Sequence, residues 1–199
     1  MDRSIVRLGP QHRDAAVATL AAAFQDDPAL RWIMPDPADR ARRLPGLFAW
    51  QFDEQQRHGF ALGTPGCEAV TLWRAPGKVH YHTPLWHLPA TLRLVRVLGR
   101  TTARAMAVGD AIDASVPAGE DWMYLKFAGV RPDCQGKGLG GLAIRAGLDL
   151  AREAGVPGVL ETATPSNVGL YMRLGYGVHR EWDVPGAGAP HFWTMTHPG

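Results

Sequence analysis

One stretch governs what this chain can fold into: Val130-Arg131-Pro132-Asp133-Cys134-Gln135-Gly136-Lys137-Gly138-Leu139-Gly140-Gly141. An apolar segment, residues 122–130, runs into it, and an amphipathic pattern of helical period, residues 139–154, runs out of it. Glycine frees such a turn from φ restrictions and keeps Cβ atoms out of the way of a close ligand. The start of the following helix leaves backbone N–H groups without intrahelical partners, and its dipole favours negative charge. The segment is therefore an anion site, and phosphate is the natural anion for it.

The 199 residues suit one domain, 1–199, carrying a helical insertion at about 76–119. Hydrophobic residues make up 46% of the chain, enough for a buried core. The formal net charge of +2 gives no ground for nucleic acid or a membrane surface as partner. Two cysteines, Cys67 and Cys134, are too few for a disulfide framework, which favours a reducing, cytoplasmic setting. No apolar run reaches the roughly 18–20 residues of a membrane span. The opening Met1-Asp2-Arg3-Ser4 is charged and has no leader-like apolar block.

Along the chain, residues 4–8 read as a strand and 11–24 as a helix, with Val17, Leu20, Ala21 and Phe24 on one face. Asp26-Asp27-Pro28 breaks that helix. A second runs over about 39–57, with Pro45 as a candidate kink or division. Residues 60–64 and 68–74 flank Pro65-Gly66 as a hairpin. The insertion holds two helical stretches, about 89–99 and 101–115. A strand at 121–130, the Gly turn and its helix, a strand at 158–161, a helix at 165–174 and strands at 176–183 and 192–196 complete the order. Thr164-Pro165 has the form of an N-cap followed by proline at the first helical position. The class is α+β, with one central strand–helix–strand unit around the Gly turn and the helical insertion between the third and fourth strands.

Three phosphate ligands compete for the turn. A P-loop needs Ser or Thr after Gly136-Lys137, and Gly138 stands there. A dinucleotide fingerprint fits Gly136, Gly138 and Gly141 literally, with Glu161 further on as a ribose ligand. In that fold, however, the strand runs almost directly into the first glycine, whereas here Arg131 to Gln135, including Pro132, intervene. The chain also shows a single strand–helix–strand unit. The third ligand is coenzyme A. Gln135-Gly136-Lys137-Gly138-Leu139-Gly140 resembles the Arg/Gln-x-x-Gly-x-Gly/Ala motif of the GCN5-related N-acetyltransferase (GNAT) family, and Asn167-Val168-Gly169-Leu170-Tyr171-Met172-Arg173-Leu174-Gly175-Tyr176 resembles its second signature. The half from Trp122 onward is also similar to the puromycin N-acetyltransferases of that family, notably at Ala154-Gly155-Val156-Pro157 and Leu160-Glu161-Thr162.

The resemblance implies a mixed, mostly antiparallel sheet flanked by helices, acetyl-CoA as cosubstrate, no metal, and transfer of an acetyl group to the primary amine of a small molecule, an antibiotic or a metabolite. It implies that Gly136, Lys137, Gly138, Leu139, Gly140 and Gly141 hold the pyrophosphate beside Gln135 and Asn167. The pantetheine arm would lie along the backbone of Ala128, Gly129 and Val130 like an added strand, with the Val130 N–H meeting the oxyanion. Tyr171 matches the family tyrosine that protonates the leaving thiolate. Glu161 is the candidate base, its pKa raised by apolar neighbours.

Plainer roles stay open: Glu161 as a strand-end carboxylate capping the next turn, Tyr171 as a core aromatic, Asn167 as an ordinary first-turn residue, Cys134 as incidental. His80, Tyr81, His82 and His87 lack the paired spacing of a zinc site, and with Trp73 and Trp86 they suggest an aromatic, polar substrate wall. Arg93, Arg96, Arg100 and Arg104 share one helical face, which is solvated or meets an acidic partner or the coenzyme's 3′-phosphate. Trp32 and Asp26-Asp27-Pro28 stand where the family builds its acceptor lid. The partner is a small amine, without nucleic acid or membrane, for a monomer or homodimer. The competing function is a non-catalytic acyl-CoA-binding sensor or accessory protein.

Overall fold

The computed structural model describes residues 2–78, 88–118 and 121–199. The elements are β1 (Val6–Arg7), α1 (Arg13–Ala23), α2 (Pro28–Ile33), α3 (Pro37–His58), β2 (Gly59–Gly63), β3 (Ala69–Arg74), α4 (Leu88–Leu98), α5 (Thr102–Ser115), β4 (Met123–Val130), α6 (Leu139–Glu153), β5 (Gly158–Thr162), α7 (Pro165–Met172), β6 (Gly177–Asp183) and β7 (His191–His197). The strands form one seven-stranded sheet in the order β1-β2-β3-β4-β5-β7-β6. Among the described residues only β4 and β5 pair in parallel; every other pairing is antiparallel. The class is the one expected from the sequence, α+β with the helical insertion between β3 and β4.

Side chains alternate across each strand, so one sequence serves two cores. On one face Ala61, Val70, Leu72 and Phe127 pack against Leu20 of α1 and Phe48 and Phe52 of α3. On the other, Phe60, Leu62, Trp73, Leu125 and Leu160 pack against Ile144 and Leu148 of α6. Strands covered on both faces read as near-continuous apolar runs, which is why residues 69–73 are buried throughout.

Three local outcomes differ from the sequence reading. Asp26-Asp27-Pro28 ends α1 and also starts α2: the Asp27 carboxylate accepts from the Leu30 N–H at 2.9 Å, with Pro28 in the first turn. Pro45 does not divide α3, which runs unbroken from Pro37 to His58. Ala41 and Pro45 are exposed, so water can serve the carbonyl that Pro45 leaves without an N–H. Trp73 is no substrate wall. It is fully buried on the α6 side, stacks on Phe60 with centroids 6.2 Å apart and donates its ring N–H to the Thr71 hydroxyl at 2.9 Å. Its expected companions His80, Tyr81, His82, Trp86 and His87 lie outside the described residues.

Candidate active site

The parallel pairing of β4 with β5 ends at Leu125↔Leu160, yet β4 continues to Val130. Beyond that point the two strands part, and β4 keeps only β3 as a neighbour. The register with β3 jumps from Leu125 to Phe127, leaving Lys126 as the extra residue of a bulge. That bulge resets which backbone groups face which way. The Met123 N–H bonds towards β5, at the Pro157 carbonyl, whereas the Arg131 N–H bonds back towards Glu68 beside β3. Counting alternately from Arg131, the N–H and C=O groups of Phe127 and Gly129 face β3, and those of Ala128 and Val130 face the gap. The Val130 carbonyl accepts from the Gln135 side-chain amide at 3.2 Å. Gly129 thus spends its backbone groups on β3, and its missing Cβ makes room for α1: a Cβ there would lie 3.0 Å from Leu20 and 3.1 Å from Ala23.

The Gly turn follows at the end of β4. Residues 132–134 form a short 3₁₀ turn, and Gly138 caps α6 in a left-handed conformation (φ 79°), with no side chain on the cap. Gly136 is left-handed too (φ 74°) and has open space where a Cβ would be. Among the described residues, none accepts from the backbone N–H groups of residues 136–141, while the Leu142 N–H turns inward to the Gly138 carbonyl. Gly140 lets the helix start approach β4, since a Cβ would lie 3.1 Å from Val130. Lys137 is exposed and folds back to the Asp133 carbonyl at 2.8 Å. Cys134 is buried behind the turn with Ala69, Leu139 and Ala143. An open strand edge ending in a cradle of free amides fits a donor with an amide-bearing arm and a pyrophosphate.

A cavity of about 570 Å³ lies on the α3 side of the sheet, where β4 and β5 part. Its floor is Tyr124, Lys126, Phe127, Ala128, Glu161 and Thr162. Asp27, Leu30 and Ile33 enclose it from α2, Leu47 and Trp50 from α3, and Asn167 and Tyr171 from α7. Its roof is the insertion: Leu94, Val95 and Leu98 of α4, and Ala105, Met106, Val108, Ile112 and Asp113 of α5. The roof is fastened at both ends. Arg43 of α3 donates to the Val97 carbonyl at 2.5 Å, and Arg104 donates to the Trp32 carbonyl at 2.9 Å while lying over the Trp32 ring. At the far end the Thr194 hydroxyl of β7 donates to Ser115 at 3.0 Å. The four arginines do not form one helical face: Arg93 and Arg96 lie on α4, Arg100 in the 3₁₀ turn that follows and Arg104 on α5, with Gly99 left-handed (φ 53°) between the helices. Arg93 meets Asp53 at 3.4 Å, and Arg96 and Arg100 are exposed.

Glu161 is a strongly perturbed carboxylic acid in the cavity. Both carboxylate oxygens are sealed from solvent and neither makes a hydrogen bond of good geometry. Burial pushes its pKa up to about 8; the Tyr124 hydroxyl and Lys126 pull down, and Asp113 pushes further up. Burial likewise lowers Lys126 to about 7, with Arg74 acting in the same direction. Tyr171 is buried and raised to about 12, first by desolvation and then by the nearby Asp27, so its hydroxyl stays protonated at neutral pH. No residue among those described bonds to it. Burial also raises Asp27.

The structure therefore brings Glu161, Tyr171, Asn167 and Ala128 to one cavity, and puts Val130, Gln135 and the glycines on the edge and turn beside it. Sequence reasoning did not single out Lys126, Asp113 or Tyr124. Lys126 had a signal: it is the one charge in the apolar run Met123–Val130. Asp113 had none, because a lone acid on a helix face is ordinary.

The profile of the Acetyltransferase (GNAT) family matches residues 67–176, more than half of the chain. The chain belongs to the GNAT acetyltransferase family. It is an acyltransferase of a family that uses acetyl-CoA as cosubstrate. Solved structures share the fold over nearly their whole length. One, described as histone acetyltransferase HPA2 and related acetyltransferase from Corynebacterium glutamicum, is 21% identical with a TM-score of 0.71, over 98% of this chain and 95% of that one. Arylalkylamine N-acetyltransferase 2 from Aedes aegypti is 12% identical with a TM-score of 0.66, over 97% of both chains. The C-terminal condensation domain of Ebony, in complex with beta-alanyl-dopamine, is 12% identical with a TM-score of 0.63, also over 97% of both. Among the described residues no group of three His, Cys, Asp or Glu side chains is arranged to hold a metal, and no helix is long and apolar enough to cross a membrane.

Proposed function

We propose that this GNAT protein acetylates the primary amine of a small, largely apolar molecule held in the roofed cavity, by direct attack of the amine on the thioester of acetyl-CoA. The observation that carries this reading is a desolvated carboxylate, Glu161, at the floor of an apolar cavity that opens onto the free edge of β4. The Ala128 and Val130 groups on that edge offer the donor's arm a strand to pair with, and the uncapped start of α6 offers amides to its pyrophosphate.

Within the site each residue has a distinct task. Glu161 takes the proton that the acceptor nitrogen must lose; burial makes it basic enough to do so near neutrality. The Val130 N–H, on the gap side of β4, donates to the developing oxyanion. Tyr171 keeps its proton until the thiolate departs and then supplies it. Asn167, one turn before Tyr171 on α7, borders the same space. The apolar roof excludes water and selects the acceptor's body, while Asp113 and Glu161 receive its ammonium. One solved structure of the same fold is named for arylalkylamines, which are acceptors of this kind.

A panel of amines assayed by free-thiol release tests the reading. Release with apolar monoamines, and little with polyamines or lysine-containing peptides, is the expected pattern. Absence of acetyl-CoA binding in calorimetry, or a preference for peptide acceptors, sinks it.

A further inference from the structure

The chain carries three lysines, Lys78, Lys126 and Lys137, against eighteen arginines. Lys78 and Lys137 are exposed, whereas Lys126 is half-buried and lines the cavity. Its placement there is built into the backbone. The bulge that skips Lys126 in the β3–β4 register puts it on the same side of the sheet as its neighbour Phe127, over the cavity floor, where regular alternation would have sent one of the two to the α6 side. Lys126 is also the first β4 residue beyond the last pair with β5. The amine thus stands where the strands begin to part, next to the free edge at Ala128. Among the described residues it makes no hydrogen bond and no ion pair, so it is not committed to holding the fold together.

We propose that Lys126 is a site of self-acetylation: its Nζ takes the acetyl group of bound acetyl-CoA when the cavity holds no acceptor, and the resulting amide occupies part of the cavity floor. This rests on the acetyl-CoA reading above. The Nζ lone pair forms the amide bond to the acetyl carbon, and the carbon–sulfur bond breaks with its electron pair going to sulfur. One proton leaves the nitrogen and ends on the sulfur, giving the coenzyme thiol. One acetyl-CoA is consumed and no other reactant is needed. An arginine at this position would not take the group, because guanidinium keeps its proton and its charge.

The surroundings favour the unprotonated amine that such an attack requires. The charged groups facing Lys126 are Arg74 from β3, Glu54 from α3, Asp113 from α5 and Glu161 from β5; burial and Arg74 outweigh the acids and bring its pKa to about 7. Self-acetylation therefore speeds up as pH rises through that value and levels off above it. Its product has two effects on the site. The acetyl group fills space at the floor, and Glu161 loses a cation that favours its charged form.

The test uses the whole protein with acetyl-CoA and no amine. Intact mass and peptide mapping follow acetyl incorporation, with Lys78, remote from the Gly turn in sequence, as the internal reference for non-enzymatic acetylation. The expected result is one acetyl group on Lys126, gained about tenfold or more faster than on Lys78, as proximity allows, at a rate independent of protein concentration and saturable in acetyl-CoA. Lys126→Arg should lose that acetyl group, with its fold checked by circular dichroism; the wild-type measurement stands alone if the variant does not fold. Calorimetric binding of acetyl-CoA with Lys126 unmodified, or with Lys126 and Lys78 modified alike, overturns the inference and leaves the proposed function intact. Failure of acetyl-CoA to bind overturns both.

Discussion

The side-chain amide of Gln135 donates to the Val130 carbonyl across 3.2 Å, joining the Gly turn to the free edge of β4. It links the turn that would hold the pyrophosphate to the strand that would hold the pantetheine arm. Gln135→Ala should release the turn from the strand and weaken acetyl-CoA binding by about 1 kcal/mol, roughly fivefold in Kd. Calorimetry measures it, and an unchanged Kd would mean that the bond only tidies the turn.

Glu161→Gln should lower kcat by about two to three orders of magnitude. On the proposed mechanism activity needs the carboxylate, so kcat/KM of the wild type should rise with pH through about 8 and level off above it. The Gln variant should lose that limb. Stability moves the other way. Because the folded pKa is raised, the favourable protonated form is fully present below the unfolded value and is lost as pH climbs to the folded one. Glu161→Gln should therefore raise Tm most at pH 8 and above, and least near pH 4, as calorimetry across that range will show.

On the proposed mechanism Tyr171→Phe removes the thiolate's proton donor, and it keeps the ring that meets Tyr176 edge-on, with centroids 5.9 Å apart. Turnover should fall about a hundredfold while KM for acetyl-CoA stays within a factor of about two. A normal kcat would reduce Tyr171 to a packing residue.

Ala105 lies on the roof, far along the chain from the Gly turn. Ala105→Phe should occupy part of the cavity and raise KM for apolar amines about tenfold, with KM for acetyl-CoA unchanged. Steady-state kinetics with both substrates varied separates the two. A rise in both would mean that roof and donor site are not independent.

Gly147 of α6 faces Trp73 so closely that a Cβ would lie 2.1 Å from the indole ring. Neither the ring, buried between Phe60 and α6, nor the helix has slack. Gly147→Ala should cost about 1–3 kcal/mol, read as a lower urea midpoint with unchanged m-value.

The Gly turn, α6 and the strands β2 to β5 were legible because local chemistry specifies them: glycine where φ is positive, a helical period behind it, and apolar runs where both faces are covered. α2 was not, because six residues give too few turns for a period, and Asp27-Pro28 reads as an ending as readily as a beginning. The bulge at Lys126 was hidden for a different reason. A run such as Met123–Val130 looks like any buried strand, and only its partner's register reveals the extra residue. Trp73 misled because aromatic residues near histidines suggest a site, whereas the parity of β3 turns this one to the opposite face of the sheet. Glu161 and Tyr171 were named from motifs; that they border one cavity depends on the parting of β4 from β5, which no local pattern encodes.

The roof is one continuous length of chain, leaving the sheet after Arg74 and returning at Met123. The donor cradle lies wholly downstream of it. A gene encoding this fold can therefore exchange the whole roof by a single in-frame replacement, or reshape it by drift, while the machinery for acetyl-CoA is inherited untouched. On the proposed reading the roof's part in acceptor choice is a cassette set against fixed walls from α2, α3 and α7, and relatives sharing the Gly turn are free to diverge in the molecules they modify.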